Sequence, residues 1–353
     1  MMGADPGDEP DETTRSLLSE RAVKEKRGAV RHSALKALAN TWPDETTRSL
    51  LSERAVQDEH WAVRQSALKA LADTWPDETT RSLLSERAAQ DEWLVVRRGA
   101  LETLANTWPD ETTRSLISKR AVQDEQSYVR QSALETLANT WPDETTRSLL
   151  SERAVQDEDW AVRRSALKAL ANRWADETTR GLLSERAVQD EWAAVRQSAL
   201  ETLTDTWADE ATRGLLSERA VQEKRGAVRR SALKALANRW ADETTRGLLS
   251  ERAVQDEWAA VRESALKALA DTWPDETTRS LISKRALQDM GGAVRWSALE
   301  ALASTWPDET TRSLLSERAA QDEDWAVRQA ALRALANMGP DKTSQSSGGA
   351  DIG

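Results

Sequence analysis

Two imidazoles, His32 and His60, and no thiol at all are what this 353-residue chain offers to metal, nucleophilic or proton-transfer chemistry. Zinc sites draw on Cys and His sets, and a hydrolytic triad or a Cys-His pair needs a nucleophile beside a base, so neither can be assembled in the usual way. Carboxylates are plentiful, as in Asp44-Glu45 and Asp58-Glu59. Adjacent residues on a helix do not face each other, however, and such pairs suit the positive end of a helix dipole better than catalysis or calcium binding. Gly339 to Thr343 lacks the Gly-Lys core of a phosphate loop. The expectation is a noncatalytic protein with no cofactor and no metal.

The carboxylate pairs recur because the whole chain recurs. A shift of 33 residues superposes the sequence on itself, and Pro10, Pro43, Pro76, Pro109, Pro142, Ala175, Ala208, Ala241, Pro274 and Pro307 each open a unit. Ten units fill residues 10–339 without insertion or deletion. A fixed period of this length, with the apolar pattern of two short helices per unit, predicts an all-α solenoid. Flanking it are an acidic stretch at 1–9, expected to be flexible, and a Ser/Gly-rich stretch at 340–353, expected to be disordered. That last stretch begins a further unit at Pro340-Asp341 before losing the pattern.

Within the unit 43–75, Pro43, Asp44 and Glu45 suit a first helical turn, where proline needs no amide partner. Leu50, Leu51, Ala55 and Val56 then recur at helical spacing, with Arg48, Glu53 and Arg54 opposite; this is helix A. Asp58 is the expected N-cap of a helix B whose stripe is Val63, Ala67, Leu68, Ala70 and Leu71. Trp75 precedes a proline, which disfavours helix, so its indole is expected to plug the joint between units, as are its equivalents from Trp42 to Trp306.

The helix B residues Asp58, Val63-Arg64, Ala67 and Ala70-Leu71 resemble the HEAT repeat, in the short bacterial form found in phycobilisome-lyase-type proteins. The likeness recurs in all ten units. It implies a right-handed stack of ten 33-residue helix hairpins with the B helices on the concave side. It also implies a hydrogen-bonded ladder between neighbouring units, from Arg64 and its equivalents to Asp58 and its equivalents. Glu25 and Glu223 replace that Asp in units one and seven, where the ladder is expected to be weaker.

With no cysteine there is no disulfide framework, and the start of the chain has no apolar run of the signal-peptide kind, so a cytoplasmic location is expected. Nothing approaches the apolar length of a membrane span. The net charge of −11 opposes nucleic acid and anionic membranes. Unit seven nonetheless carries eight basic residues against four acidic ones. Clusters such as Lys24, Lys26, Arg27 and Lys224, Arg225 are either a solvated mosaic or an anion site.

Variation between units points to a face. Val63, Arg64, Ala67, Leu68 and Leu71 have identical counterparts in every unit, whereas the positions of His60, Trp61 and Gln65 change from unit to unit. At 100° per residue Trp61, Gln65 and Lys69 form one strip, away from Val63 and Ala67. Partner-binding residues read from this strip are Trp61, Trp160, Trp296 and Trp325 as anchors, with Arg98, Arg164, Arg230, Gln65 and Lys69 as polar readers, since Trp and Arg dominate interface hot spots. Trp93, Trp192 and Trp258, in the column of His60, lie nearer the core edge and are open to a packing role. Drift after duplication is the competing account of the strip. The stretch starting at 171 is repeated at 237, as if blocks had been copied.

The functional expectation is a scaffold that holds a protein or peptide on the B-helix face, similar to the HEAT arrays attached to bacterial signal-transduction NTPases. A spacer that self-associates end to end is the alternative. Because similar proteins include bilin lyases and DNA alkylation-repair glycosylases, an enzymatic role is a third.

Overall fold

The computed structural model describes residues 12–338, which form twenty α-helices in consecutive pairs. The segments 1–9 and 340–353, together with Pro10, Asp11 and Gly339, lie outside the described residues. Contacts divide the chain into two compact units, Met1–Thr179 and Arg180–Gly353. The first pairs α1 (Glu12–Lys24) with α2 (Gly28–Thr41), α3 (Glu45–Gln57) with α4 (Trp61–Thr74), and α5 (Glu78–Gln90) with α6 (Leu94–Thr107). It continues with α7 (Glu111–Gln123), α8 (Ser127–Thr140), α9 (Glu144–Gln156) and α10 (Trp160–Arg173). Then come α11 (Glu177–Gln189), α12 (Ala193–Thr206), α13 (Glu210–Gln222), α14 (Gly226–Arg239) and α15 (Glu243–Gln255). The last are α16 (Ala259–Thr272), α17 (Glu276–Gln288), α18 (Gly292–Thr305), α19 (Glu309–Gln321) and α20 (Trp325–Asn337).

Helix A packs on its own helix B, and successive B helices pack on one another, α2 on α4 and α14 on α16 among them. This is the all-α solenoid architecture of two-helix repeats that the period predicts. The core of a repeat is small: Leu51 and Ala55 from helix A, with Val63, Ala67, Leu68, Leu71 and Ala72 from helix B. Leu50 is half-buried and Val56 is exposed, so the buried stripe of helix A is narrower than its apolar spacing suggests. Helix A touches chiefly one neighbour, which leaves its flanks to solvent.

Helix starts differ from expectation in one respect at each end of the hairpin. Helix A begins one residue later, at Glu45, with Asp44 as its N-cap accepting the Thr47 amide at 3.0 Å. Asp58 is not the N-cap of helix B; it ends α3, and the cap of α4 is His60. The Asp58 carboxylate is instead taken by Arg31 of the preceding repeat, at 2.9 and 2.7 Å, while it accepts the His60 amide at 2.9 Å.

That contact is one rung of the expected ladder, which runs through both units. Arg130 meets Asp157 at 2.7 and 3.0 Å, Arg229 meets Asp256 at 2.7 and 2.9 Å, and Arg295 meets Asp322 at 2.7 and 3.0 Å. Glu223 does not weaken it: Arg196 grips that carboxylate at 2.7 and 2.9 Å, from a backbone (φ −68°, ψ 131°) like that of Asp124 (φ −67°, ψ 133°). The longer rungs are Arg64 to Asp91 at 3.3 Å and Arg97 to Asp124 at 3.1 Å. Each Arg also donates to the carbonyl that ends its own helix A, as Arg130 does to Asp124 at 2.9 Å, so one guanidinium fixes a turn and its neighbour together.

A second ladder, not foreseen from the sequence, joins the A helices. Arg48 donates to Asp77, Arg81 to Asp110, Arg114 to Asp143 and Arg213 to Asp242, at 2.5–2.8 Å. The acceptor is always the N-cap of the next helix A. Its pKa is lowered, first by the amide of the Thr three residues on, with Arg48 adding to this at Asp77. Asp322 is also lowered: burial works in the opposite sense, and the hydrogen bonds from Arg295 and the Asp324 amide outweigh it. A folded pKa below the unfolded one means that the unfolded chain takes up protons first on acidification. Stability is therefore expected to be complete above the ordinary aspartate range, about pH 4, and to fall as pH drops through the lowered folded values. Thermal melts at pH 6 and pH 3 check this, and an unchanged melt at pH 3 would remove the caps and rungs from the stability account.

The Trp at each joint is half-buried and closes helix B, its amide bonding back to a leucine carbonyl, as Trp141 does to Leu137 at 2.9 Å. Trp141 also donates Nε1 to the Pro109 carbonyl of the preceding joint at 3.3 Å. Because the ring is not wholly enclosed, Trp141→Ala is expected to cost about 2–3 kcal/mol, below the range for a fully buried Trp. Trp61→Ala should cost under about 1 kcal/mol. Urea titrations that gave equal losses would reverse the assignment of joint and surface.

Candidate functional site

The sites worth considering lie at the N-terminal ends of the B helices. Six indoles there are exposed by 38% to 65%: Trp61, Trp93, Trp192, Trp258, Trp296 and Trp325. They occupy the N-cap, the first or the fifth position of a helix B, on the face away from the Val63 and Ala67 equivalents. Trp93, Trp192 and Trp258 are thus largely exposed, although Trp258 also packs against Gly226 of the neighbouring repeat. As N-caps they have extended backbone, with φ −90° and ψ 119° at Trp258, and the 100° wheel that placed them does not reach that far. No pattern in one sequence would have corrected this short of locating the helix start.

The residues read from the strip fall into separate neighbourhoods. Gln65 and Lys69 line a groove of about 520 Å³ across α2, α4 and α6, together with His32 and Lys36. Gln65 lies over Gly99 of the next repeat, where other repeats mostly carry Ser. Trp61 stacks with His60, centroids 5.7 Å apart, and His60 Nδ1 accepts the Ala62 amide at 3.2 Å, so this imidazole caps α4. Arg98 is already engaged by Glu102 at 2.6 Å and by the hydroxyl of Tyr128, whose ring it also overlies at 5.5 Å. These bonds, that to Glu102 first, raise its pKa further, and the lone tyrosine of the chain explains why this was not legible beforehand. Arg164 overlies the half-buried Trp160 at 5.2 Å. In the second unit Trp296 and Trp325 stand exposed on α18 and α20, and Arg230 is exposed on α14 with no hydrogen-bonded partner among the described residues.

Among the described residues no group of three or more His, Asp and Glu side chains is placed to hold a metal ion. None of their helices is long and apolar enough to cross a membrane. What the face offers is aromatic surface, guanidinium groups and amide side chains on a rigid support.

Comparison with known proteins bears on the support. The family model described as HEAT repeats matches residues 16–105, 115–204 and 280–346. No curated protein matches the chain in sequence. Among solved structures, Kap121p bound to Pho4p is 14% identical, with 92% of this chain and 41% of that one covered and a TM-score of 0.54. Human deoxyhypusine hydroxylase in complex with glycerol is 20% identical over 76% of this chain and 98% of its own, with a TM-score of 0.31. The complex of CpcE and CpcF of phycocyanin lyase from Nostoc is 15% identical over 73% and 94%, with a TM-score of 0.32. At 14% identity the likeness to Kap121p is one of fold, and this chain spans about two-fifths of it. The ladder geometry, the helix pairing and the family match over most of the sequence together make this chain a member of the HEAT-repeat family.

Proposed function

We propose that the chain is a noncatalytic scaffold that holds a protein or peptide segment against the exposed face of its B helices. The observation that carries this reading is the division of labour along helix B. Val63, Ala67, Leu68 and Leu71 have identical counterparts, buried in the repeats between the first and the last, while the exposed positions beside them hold large indoles and guanidiniums that differ from repeat to repeat. Drift explains variable polar residues, but exposed indoles at the B-helix starts of both units, four of them in the second, are an expense in solubility that a binding role offsets. That Kap121p is bound to Pho4p in a solved structure supports the use of such an architecture for protein partners. A cytoplasmic setting belongs to the same reading, on the cysteine-free composition.

The test is a pull-down from lysate of the source organism with the native chain and with the Trp61→Ala, Trp296→Ala, Trp325→Ala variant, its fold checked by circular dichroism. Proteins held by the native chain alone would support a recognition face; equal retention would favour the spacer. Duplex DNA at low salt is expected to show no mobility shift, given the net charge of −11. A shift would bring the glycosylase-like reading forward.

A further inference from the structure

The N-termini of α12, α14 and α16 open onto one groove of about 460 Å³, walled by Trp192 and Trp258 and floored by Gly226 and Ala227. Trp258 rests on the bare backbone of the neighbouring repeat: a Cβ built on Gly226 would lie 2.8 Å from its Cγ. The caps of all three helices, Trp192, Arg225 and Trp258, make no side-chain bond to the helix amides. By contrast His60, Asp159 and Asp324 cap α4, α10 and α20 with their own side chains. The groove thus gathers three helix ends of positive dipole without a carboxylate cap on any of them.

The charges around it are unequal in a second way. Arg225 and Arg230 both line the groove, and neither guanidinium has a hydrogen bond or ion pair among the described residues. The nearby carboxylate of Glu257 is already held, by Arg229 and by Trp258 Nε1, both at 3.2 Å. Glu263, on α16, is partly desolvated, and burial raises its pKa. Lys224 adds to the basic excess of this repeat, which carries eight basic and four acidic residues in a chain of net charge −11. Glu191 also lines the groove and Glu263 interacts electrostatically with Arg230, yet among the described residues the guanidiniums of Arg225 and Arg230 stay without a hydrogen bond beside the indoles, an arrangement that draws an anionic partner.

We infer that this groove is the docking point for an acidic peptide segment of a partner protein, one apolar side chain seated between Trp192 and Trp258 and its flanking carboxylates on Arg225 and Arg230. The carboxylates suit the forked guanidinium geometry and the uncapped amides of α14, and the indoles give the apolar residue a rigid seat. The inference rests on the peptide-binding reading above and adds the location and the chemistry of the ligand.

A phage-displayed library of random twelve-residue peptides, panned on the full chain, tests it. The expected result is enrichment of peptides with two or more carboxylates around an aromatic or branched apolar residue. Synthetic fluorescein-labelled versions should bind the Arg225→Glu, Arg230→Glu variant at least about tenfold more weakly, and Trp258→Ala similarly, in fluorescence anisotropy. Arg225 and Arg230 are exposed, so the charge variant keeps its fold whatever happens to Trp258→Ala. Val122→Ala, on the exposed flank of α7 and outside the B-helix face, should leave binding unchanged. Enrichment of neutral or basic peptides, or acidic peptides bound equally by the charge variant, overturns the inference. If binding is lost instead in Trp61→Ala, the peptide-binding reading stands and this location falls; if no peptide is enriched, both fall.

Discussion

Asp157→Ala is expected to destabilise its repeat by about 3–5 kcal/mol, the range for leaving one partner of a buried ion pair uncompensated. Asp157 and Arg130 are 5% and 4% exposed. The guanidinium would keep the backbone carbonyls of Asp124 at 2.9 Å and Glu125 at 3.4 Å and only the exposed carboxylate of Glu158, at 3.5 Å, and the Asp159 amide would lose its acceptor at 3.0 Å. Solenoid repeats are stabilised by their immediate neighbours, so the loss should be local. Native-state hydrogen exchange should show faster opening of α8 to α10 and little change in α2 and α4. Arg130→Met combined with Asp157→Leu should recover most of the loss, because an apolar pair needs no compensation. A cost below about 1 kcal/mol for Asp157→Ala would mean that water solvates the site and that the ladder sets no register.

Leu137→Ala should cost about 2–5 kcal/mol, the span for large-to-small changes in a close-packed core. Leu137 is fully buried on α8, and the repeat has few other large side chains to close over the void. Val122→Ala, on the exposed flank of α7, should change stability by less than about 0.5 kcal/mol. Urea unfolding of the two variants compares them directly. Near-equal midpoints would mean that the core is plastic and the repeat is held by its rungs.

The contrast between those two positions shows what the sequence could tell. The period gave the helices, their order and the core residues, because a buried Leu such as Leu137 repeats identically while its exposed neighbours change. The first ladder was legible through resemblance. The second was not: Arg48 reads as an ordinary outward-facing residue until the next helix A is known to bring Asp77 within its reach. Glu223 shows a different limit, since the longer acid keeps both bonds to Arg196 from an unchanged turn backbone. On the candidate face the strip of Trp61, Gln65 and Lys69 was readable from helical angles. The groove of Trp192 and Trp258 was not, because its walls stand on the last extended residue before each helix.

The rungs also bear on how such a gene can change length. Donor and acceptor stand a fixed 27 residues apart in the first ladder and 29 in the second, so a partial repeat inserted anywhere would leave guanidiniums facing the wrong turn. A whole repeat changes nothing, since one carboxylate is exchanged for an equivalent one. The stretch found at 171 and again at 237 carries Asp190 with Arg196 in one copy and Asp256 with Arg262 in the other. Each copy is a link with both fastenings. Pairing across repeats therefore works as a reading frame for the folded state, under which recombination can lengthen or shorten the array while the fold filters out every change that breaks phase.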